Sequence, residues 1–146
     1  MRTKALTEMK LQINSSSLNE GFARVTVAAF VARLDPTIEE LSDLKTAVSE
    51  AVTNCSVHAY PDTVGPVFLW VGIYPDRTVH IRIKDHGVGI ADVEKAREPM
   101  FTTGGEERAG LGFAVMESFT DRLQVRSKVG KGTTVTLVKR LGESRA

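Results

Sequence analysis

Two strand pairs joined by short turns constrain the fold of this chain more than any other feature of its sequence. Residues 67–74 form an apolar run, residues 75–77 suit a turn, and residues 78–84 alternate between apolar and polar side chains. Residues 122–127 and 133–140 alternate in the same way around a Lys- and Gly-rich turn. Alternation indicates half-buried strands, and a short turn pairs successive strands antiparallel. The sequence therefore predicts a sheet built from hairpins.

Helical periodicity covers two segments before these hairpins, residues 18–34 and residues 37 to about 58. In the first helix, the apolar residues at helical spacing, which we expect to face the core, are Phe22, Val25, Ala29 and Ala32 or Arg33. In the second helix, the apolar stripe consists of Leu41, Leu44, Val48, Val52 and Cys55. Pro36 separates the helices, and Thr37 with Glu40 fits a capping box at the start of the second.

The order of these elements predicts an α+β fold. It is a two-layer sandwich with helices on one face of a mainly antiparallel, mixed sheet, and a short strand over residues 10–15 joins that sheet. We expect one domain over residues 9–141, a disordered extension over residues 1–8 and a flexible tail over residues 142–146. Strands that come in hairpins argue against a Rossmann arrangement.

The composition is that of an ordinary globular protein and excludes few functions. The chain has 146 residues, of which 42% are hydrophobic and 25% charged. A formal net charge of +1 gives no overall electrostatic reason to bind nucleic acid or an anionic membrane. Cys55 is the only cysteine, so we expect no intramolecular disulfide and a reducing, cytoplasmic location. No apolar run is long enough to span a bilayer.

The strongest candidate for chemistry lies where the strand over residues 78–84 ends. The chain continues there as Asp85-His86-Gly87-Val88-Gly89. Glycine lets the backbone approach a ligand closely, and an acid fixed at a strand end can accept a hydrogen bond from an exocyclic amine such as that of adenine. Taken alone, these residues also fit an Asp-containing turn that binds nothing.

Three further motifs accompany this one. They are Glu50 to Asn54 on the second helix, Phe101 to Gly105 followed by Gly110 to Phe113, and Gly132 to Val135 at the last strand. The order and spacing of the four motifs resemble the GHKL (Bergerat-fold) ATPases, the group of gyrase-type ATPases, histidine-kinase catalytic domains and anti-sigma serine kinases. The resemblance covers the chain from about Met9 to Leu141, and four motifs in order are more specific than a lone Gly-rich loop.

In the family that this chain resembles, the positions of Glu50 and Asn54 hold the general base and a Mg²⁺ ligand. The residue chemistry agrees with these roles. A carboxylate can accept a proton from an attacking hydroxyl, and an amide oxygen suits Mg²⁺. The alternative is that both belong to the solvated polar face of an amphipathic helix.

The resemblance implies that the other motifs bind ATP, and that ADP is the product of the reaction. The residues expected near adenine are Asp85, Gly87, Gly89, Thr133 and Thr134. Backbone N–H groups at a helix start favour anions, so the expected phosphate cradle is Gly110, Leu111, Gly112 and Phe113. Between the two lies a predicted mobile loop that contributes Thr102, Thr103 and Gly104 to the nucleotide site. Arg108, in the same loop, is expected to reach the γ-phosphate and to act in catalysis with Glu50.

Within the group, the segments over residues 22–36, 45–54, 99–103 and 112–117 look like the anti-sigma F factor family of spore-forming bacteria. That resemblance implies a homodimeric, ATP-binding serine kinase that inhibits a sporulation sigma factor and phosphorylates an anti-anti-sigma protein. Arg24 matches a family arginine that contacts these protein partners. Two alternatives remain, a histidine-kinase catalytic domain and a non-catalytic, nucleotide-gated binding module.

Overall fold

The computed structural model describes residues 3–98 and 112–142. Its centre is a five-stranded sheet of order β1-β2-β3-β5-β4, in which every neighbouring pair is antiparallel. The strands are β1 Thr7–Asn14, β2 Pro66–Ile73, β3 Thr78–Asp85, β4 Arg122–Lys128 and β5 Gly132–Arg140. The two predicted hairpins are therefore confirmed, and the described sheet has no parallel pair that would make it mixed. Asp85 is the last residue of β3.

Two long helices form the second layer. A single 3₁₀ turn, Ser17–Asn19, leads into α1 Glu20–Ala32, and α2 runs over Ile38–Asn54 and continues as one π-helical turn, Cys55–Ala59. The short helix α3 spans Val93–Ala96, and residues 112–118 are also helical and are called α4 below. The predicted capping box is present at the start of α2. The Thr37 hydroxyl accepts from the Glu40 N–H at 2.9 Å, and the Glu40 carboxylate accepts from the Thr37 N–H at 2.8 Å.

The core lies between the inward face of the sheet and the two long helices. Its largest fully buried side chains include Leu44, Leu69, Ile81, Ile83, Met116 and Leu137. The stripe predicted for α2 is largely correct, because Leu44, Val48, Val52 and Cys55 are buried. This α+β sandwich confirms the predicted fold class.

The stripe predicted for α1 is wrong. Phe22 and Val25 are 56% and 58% exposed, and the residues that α1 buries are Ala23, Val27, Ala28 and Val31. The helix is apolar on more than one side, so spacing alone could not select the inward face. Small and β-branched side chains let α1 approach α2 closely, which leaves the larger Phe22 outside.

The start of β1 corrects the predicted N-terminal boundary. Thr7 and Glu8 belong to the strand, where they pair with Ile73 and Gly72. The sheet therefore includes residues that were expected to be part of an unstructured extension. Within the described ranges, no helix has the length and apolar character needed to cross a bilayer.

Candidate functional site

The α2 helix brings two of the predicted site residues next to a third from a distant part of the chain. Glu50 and Asn54 are four residues apart on α2, one helical turn, and therefore lie on the same face. Gly112, in α4, faces them directly. A Cβ atom at Gly112 would lie 3.1 Å from Asn54 Oδ1 and 3.4 Å from Glu50 Oε2. The general-base motif and the phosphate-cradle motif thus meet in space.

The Asn54 amide is available to a ligand. Its Nδ2 atom is buried and has no hydrogen-bond partner among the residues that the structure describes. An unpaired buried amide costs free energy unless a ligand satisfies it. Half a turn about the Cβ–Cγ bond would exchange the positions of Nδ2 and Oδ1 and present the oxygen to a cation instead. The amide oxygen of Asn54 suits Mg²⁺ bound to a nucleotide, and the carboxylate of Glu50 beside it suits proton transfer.

The Asp85 carboxylate is held in one orientation. It is 5% exposed, and its Oδ1 atom accepts from the backbone N–H groups of Gly87 at 2.9 Å and Thr133 at 3.1 Å. Its Oδ2 atom accepts from the Cys55 thiol, with the sulfur 3.7 Å away. One oxygen is thus occupied by the protein, while the other keeps lone-pair capacity for an incoming donor.

Burial and hydrogen bonding act against each other at this carboxylate. Burial raises the pKa of Asp85 above its usual value, and the two N–H groups oppose that rise. Burial, with the Asp85 carboxylate beside it, raises the pKa of the Cys55 thiol well above its usual range. Cys55 therefore stays protonated and acts as a donor to Asp85. The sequence indicated only that Cys55 is buried.

The glycines after Asp85 are required by contacts within the protein. A Cβ atom at Gly87 would lie 2.2 Å from the Ala59 carbonyl oxygen, and one at Gly89 would lie 2.2 Å from the Lys128 carbonyl oxygen. Gly89 also has a φ of +77°, which side chains rarely adopt. These contacts press the loop between the end of α2 and the β4–β5 turn. The loop is therefore fixed in place beside Asp85, whether or not it touches a nucleotide.

Two side chains that the sequence did not single out support the same region. The Tyr60 hydroxyl accepts from the His86 N–H at 2.7 Å and donates to the Pro66 carbonyl at 2.8 Å, so it ties α2 to the ends of β2 and β3. The Ser127 hydroxyl accepts from the Ile90 N–H at 2.7 Å and lies 2.8 Å from the Thr133 hydroxyl. An isolated Tyr or Ser in a sequence gives no signal of such a contact, because the backbone N–H groups of His86 and Ile90 are brought to them only by the tertiary fold.

The remaining predicted residues divide into three sets. Thr134 does not join the site, since alternate residues of β5 point to opposite faces and Thr134 lines a cleft on the outer face of the sheet. Phe113 is 2% exposed and belongs to the core cluster, and its side chain anchors α4. The residues that lie outside the described ranges are Thr102, Thr103, Gly104, Arg108, Gly110 and Leu111.

Arg24 lies on α1, in the helical layer. It forms an ion pair with Glu20 at 3.7 Å and donates to the Ser49 hydroxyl at 3.3 Å, and its side chain is 41% exposed. Exposed apolar side chains flank it on the same helix, Phe22 and Val25, with Leu18 just before the helix at 89% exposure. Exposed apolar residues around a charged one are typical of a protein-binding surface.

The chain is similar to known proteins over nearly its whole length. A family described as the histidine kinase-like ATPase domain matches residues 16–139. A protein named anti-sigma F factor from Anoxybacillus flavithermus is 56% identical over 141 residues, which is 95% of this chain and 96% of that relative. Anti-sigma F factors from Geobacillus thermodenitrificans and Caldanaerobacter subterraneus are 55% and 54% identical, with 96% of each relative covered.

Solved structures support the fold. The RsbU and RsbW domains of a Mycobacterium tuberculosis protein superpose with a TM-score of 0.69 at 19% identity, over 92% of this chain and 32% of that longer chain. The mycobacterial sensor histidine kinase MprB gives a TM-score of 0.55 at 18% identity, over 90% of this chain and all of that one.

Proposed function

Because the chain belongs to the histidine kinase-like ATPase family and groups there with the anti-sigma F factors, we propose that it binds Mg²⁺-ATP, inhibits a sigma factor and phosphorylates a serine of an anti-anti-sigma protein. Relatives named anti-sigma F factor, which are more than 50% identical and are matched over 96% of their length, support the sigma-factor partner. The histidine kinase-like domain supports ATP binding.

The meeting of Glu50, Asn54 and Gly112 carries the catalytic part of the proposal. Glu50 accepts the proton of a serine hydroxyl as that oxygen attacks the γ-phosphorus of ATP, and ADP leaves with the former bridging oxygen. Asn54 holds Mg²⁺, which neutralises charge on the phosphates. The Oδ2 atom of Asp85 accepts a hydrogen bond from the adenine amine. Arg108 is proposed to contact the γ-phosphate.

The surface around Arg24, defined by Arg24, Phe22, Val25 and Leu18, is proposed as the docking site for both protein partners. Its exposed apolar side chains provide contact area, and the guanidinium provides a specific charged contact. Partners that share this surface compete for it. A phosphate added to the anti-anti-sigma protein introduces negative charge at the interface, which changes the competition.

A homodimer is also proposed. The β1 strand is an edge of the described sheet, pairs with β2 on one side and leaves its other side unpaired within the described residues. A second copy of the chain can cover such an edge.

The nucleotide bound is proposed to determine which protein partner stays bound. ATP can shift the equilibrium between the two complexes only if its affinity for one of them is higher than for the other.

The test combines kinase and binding assays. Wild-type protein and Glu50→Gln are incubated with labelled ATP, Mg²⁺ and the anti-anti-sigma protein, and phosphoserine is detected after hydrolysis. A positioned base contributes about 10²–10⁴-fold, so the variant should lose activity on that scale while it still binds ATP. Sigma-factor affinity with ADP and with a non-hydrolysable ATP analogue is measured in parallel for wild type and Arg24→Ala. Near-normal phosphorylation by Glu50→Gln rules out this base, and unchanged sigma affinity in Arg24→Ala rules out this docking surface.

A further inference from the structure

On the face of the sheet that points away from the helices, β3, β4 and β5 carry charge of one sign, and the outward carboxylate of the described strands, Glu8, lies on β1. On β3, β4 and β5 the outward positions alternate with the core positions. The exposed cations there are Arg82, Lys84, Arg122, Arg126, Lys128 and Arg140, and no outward position of these three strands holds a carboxylate. The whole chain has a net charge of only +1. The positive charge on this outer face is therefore a local excess that the total conceals.

Three of these arginines line one cleft. The cleft has a volume of about 710 Å³, and the residues that line it include Arg82, Arg122, Arg126, Thr134 and Thr136. None of the three arginines forms a salt bridge within residues 3–98 and 112–142. Guanidinium and hydroxyl donors without a carboxylate partner match the oxygens of phosphate groups.

Aromatic rings lie beside the arginines on the same face. Trp70 extends over Gly72, where a Cβ atom would be 2.4 Å from the indole ring, so the glycine lets the ring lie close to the sheet. The Arg82 guanidinium is 4.8 Å from the centre of the Trp70 ring. Tyr74 and His80 form a second pair, with ring centres 4.6 Å apart. Aromatic side chains on an open basic sheet give bases a surface on which to stack.

We propose that this outer face binds single-stranded nucleic acid, with phosphates at Arg82, Arg122 and Arg126 and bases against Trp70 and Tyr74. A second copy of the chain is a poor occupant, because the same cations would face each other. An acidic protein segment would neutralise the charge but would leave the aromatic rings without a stacking partner. The inference does not depend on the kinase proposal, since the cleft lies on the opposite side of the sheet from Glu50 and Asn54.

The experiment uses Trp70, the only tryptophan of the chain, as its reporter. A 20-nucleotide oligo(dT) or oligo(U) is titrated into the protein with saturating Mg²⁺-ADP present, so that the nucleotide site does not contribute. Indole quenching and fluorescence anisotropy of a labelled oligonucleotide are followed over a range of salt concentrations. We expect quenching, and a negative linear dependence of log K on log salt.

Two variants and one control locate the binding. Replacement of Arg82, Arg122 and Arg126 by Gln should reduce the salt slope by about 2 and the affinity at 0.1 M salt by about 100-fold, since each phosphate contact on a single strand contributes about 0.7 to the slope. Trp70→Leu, followed by anisotropy, should weaken binding by about 5- to 150-fold through the loss of one stacked base. The control replaces Arg33, Lys45 and Lys95 by Gln, which removes the same charge from the helical side.

Each of five results would overturn the proposal. The triple-arginine variant, folded by circular dichroism, binds as wild type does. The control loses as much affinity as the triple-arginine variant does. The oligonucleotide binds without quenching Trp70, or does not bind at low salt. Finally, polyglutamate or inorganic polyphosphate, added at the same total charge as unlabelled oligonucleotide, displaces the labelled oligonucleotide equally effectively. That result would assign the face to an acidic protein or to a simple polyanion.

Discussion

Replacing Asp85 by Asn is expected to separate the nucleotide recognition proposed for this residue from its part in folding. In the wild type, Oδ1 accepts from the N–H groups of Gly87 and Thr133, and Oδ2 accepts from the Cys55 thiol. An Asn side chain can keep the first two bonds if its oxygen takes the Oδ1 position. Its NH₂ group then stands where Oδ2 was. The opposite orientation would point NH₂ at two backbone donors, at a cost of about 1–3 kcal/mol for each unsatisfied group.

The amide orientation set by Gly87 and Thr133 determines the size of the effect. The adenine amine would meet a donor where it needs an acceptor. Loss of a hydrogen bond to a charged group costs about 1.5–3 kcal/mol, and every 1.4 kcal/mol is a factor of ten. Affinity for ATP should therefore fall by about 10- to 150-fold, and further if the two donors repel. Stability should stay the same or rise at neutral pH, because burial already disfavours the ionised form of Asp85.

The assay is isothermal titration calorimetry with ATP and ADP, paired with thermal melting followed by circular dichroism. Asp121→Asn is the matched control, since Asp121 is exposed and accepts a backbone hydrogen bond from Arg140, which pairs with the end of β3 opposite to Asp85. It should bind nucleotide as the wild type does. An Asp85→Asn protein that melts normally and binds ATP with unchanged affinity would refute the adenine-reading role. A large drop in melting temperature would refute the hydrogen-bond argument.

Three further predictions follow from the same contacts. Gly112→Ala should leave thermal stability unchanged or slightly higher, because Ala favours helices by up to about 1 kcal/mol. It should reduce phosphoryl transfer, because the added Cβ atom displaces Asn54 and Glu50, whereas Gly21→Ala on α1 should leave transfer intact. Full activity in Gly112→Ala would show that the contact has no role. Because the pKa of Asp85 is raised, nucleotide affinity should fall on acidification at a higher pH than it would for an ordinary aspartate. Ionisation of Asp85 should also lower the stability of the fold as pH rises through that raised pKa. Melting curves taken across pH should show this loss in the wild type and not in Asp85→Asn. Light scattering of the protein at micromolar concentration should give the mass of a dimer, and a monomer that stays monomeric with ATP would contradict pairing through β1.

The sequence predicted the sheet and the two long helices because hairpin alternation and the capping box are local signals. Thr37 and Glu40 are three residues apart, and their reciprocal hydrogen bonds follow from that spacing alone. The inward face of α1 could not be predicted in this way. Phe22 and Val27 are both apolar, and only the close approach of α2 decides which of them is buried.

The candidate site shows the same division. Glu50 and Asn54 are neighbours by helical spacing, so their common face was predictable. The contact of Gly112 with both, and the orientation of Asp85 by Cys55 and Thr133, depend on residues that only the tertiary fold brings together. Thr134 illustrates the limit of a motif, because Gly-Thr-Thr does not say which threonine points inward. The pleat of β5 assigns Thr133 to the site and Thr134 to the outer face.

The strand order has a consequence for how the chain acquires its binding site during synthesis. Among the described strands β5 comes last along the chain, yet it lies inside the sheet between β3 and β4. A nascent chain that has not yet released β5 from the ribosome has β3 as an open edge and lacks the Thr133 donor to Asp85. With Asp85 in the role proposed for it, nucleotide would bind better to chains in which β5 has paired than to those that lack it, and would stabilise the complete fold by mass action.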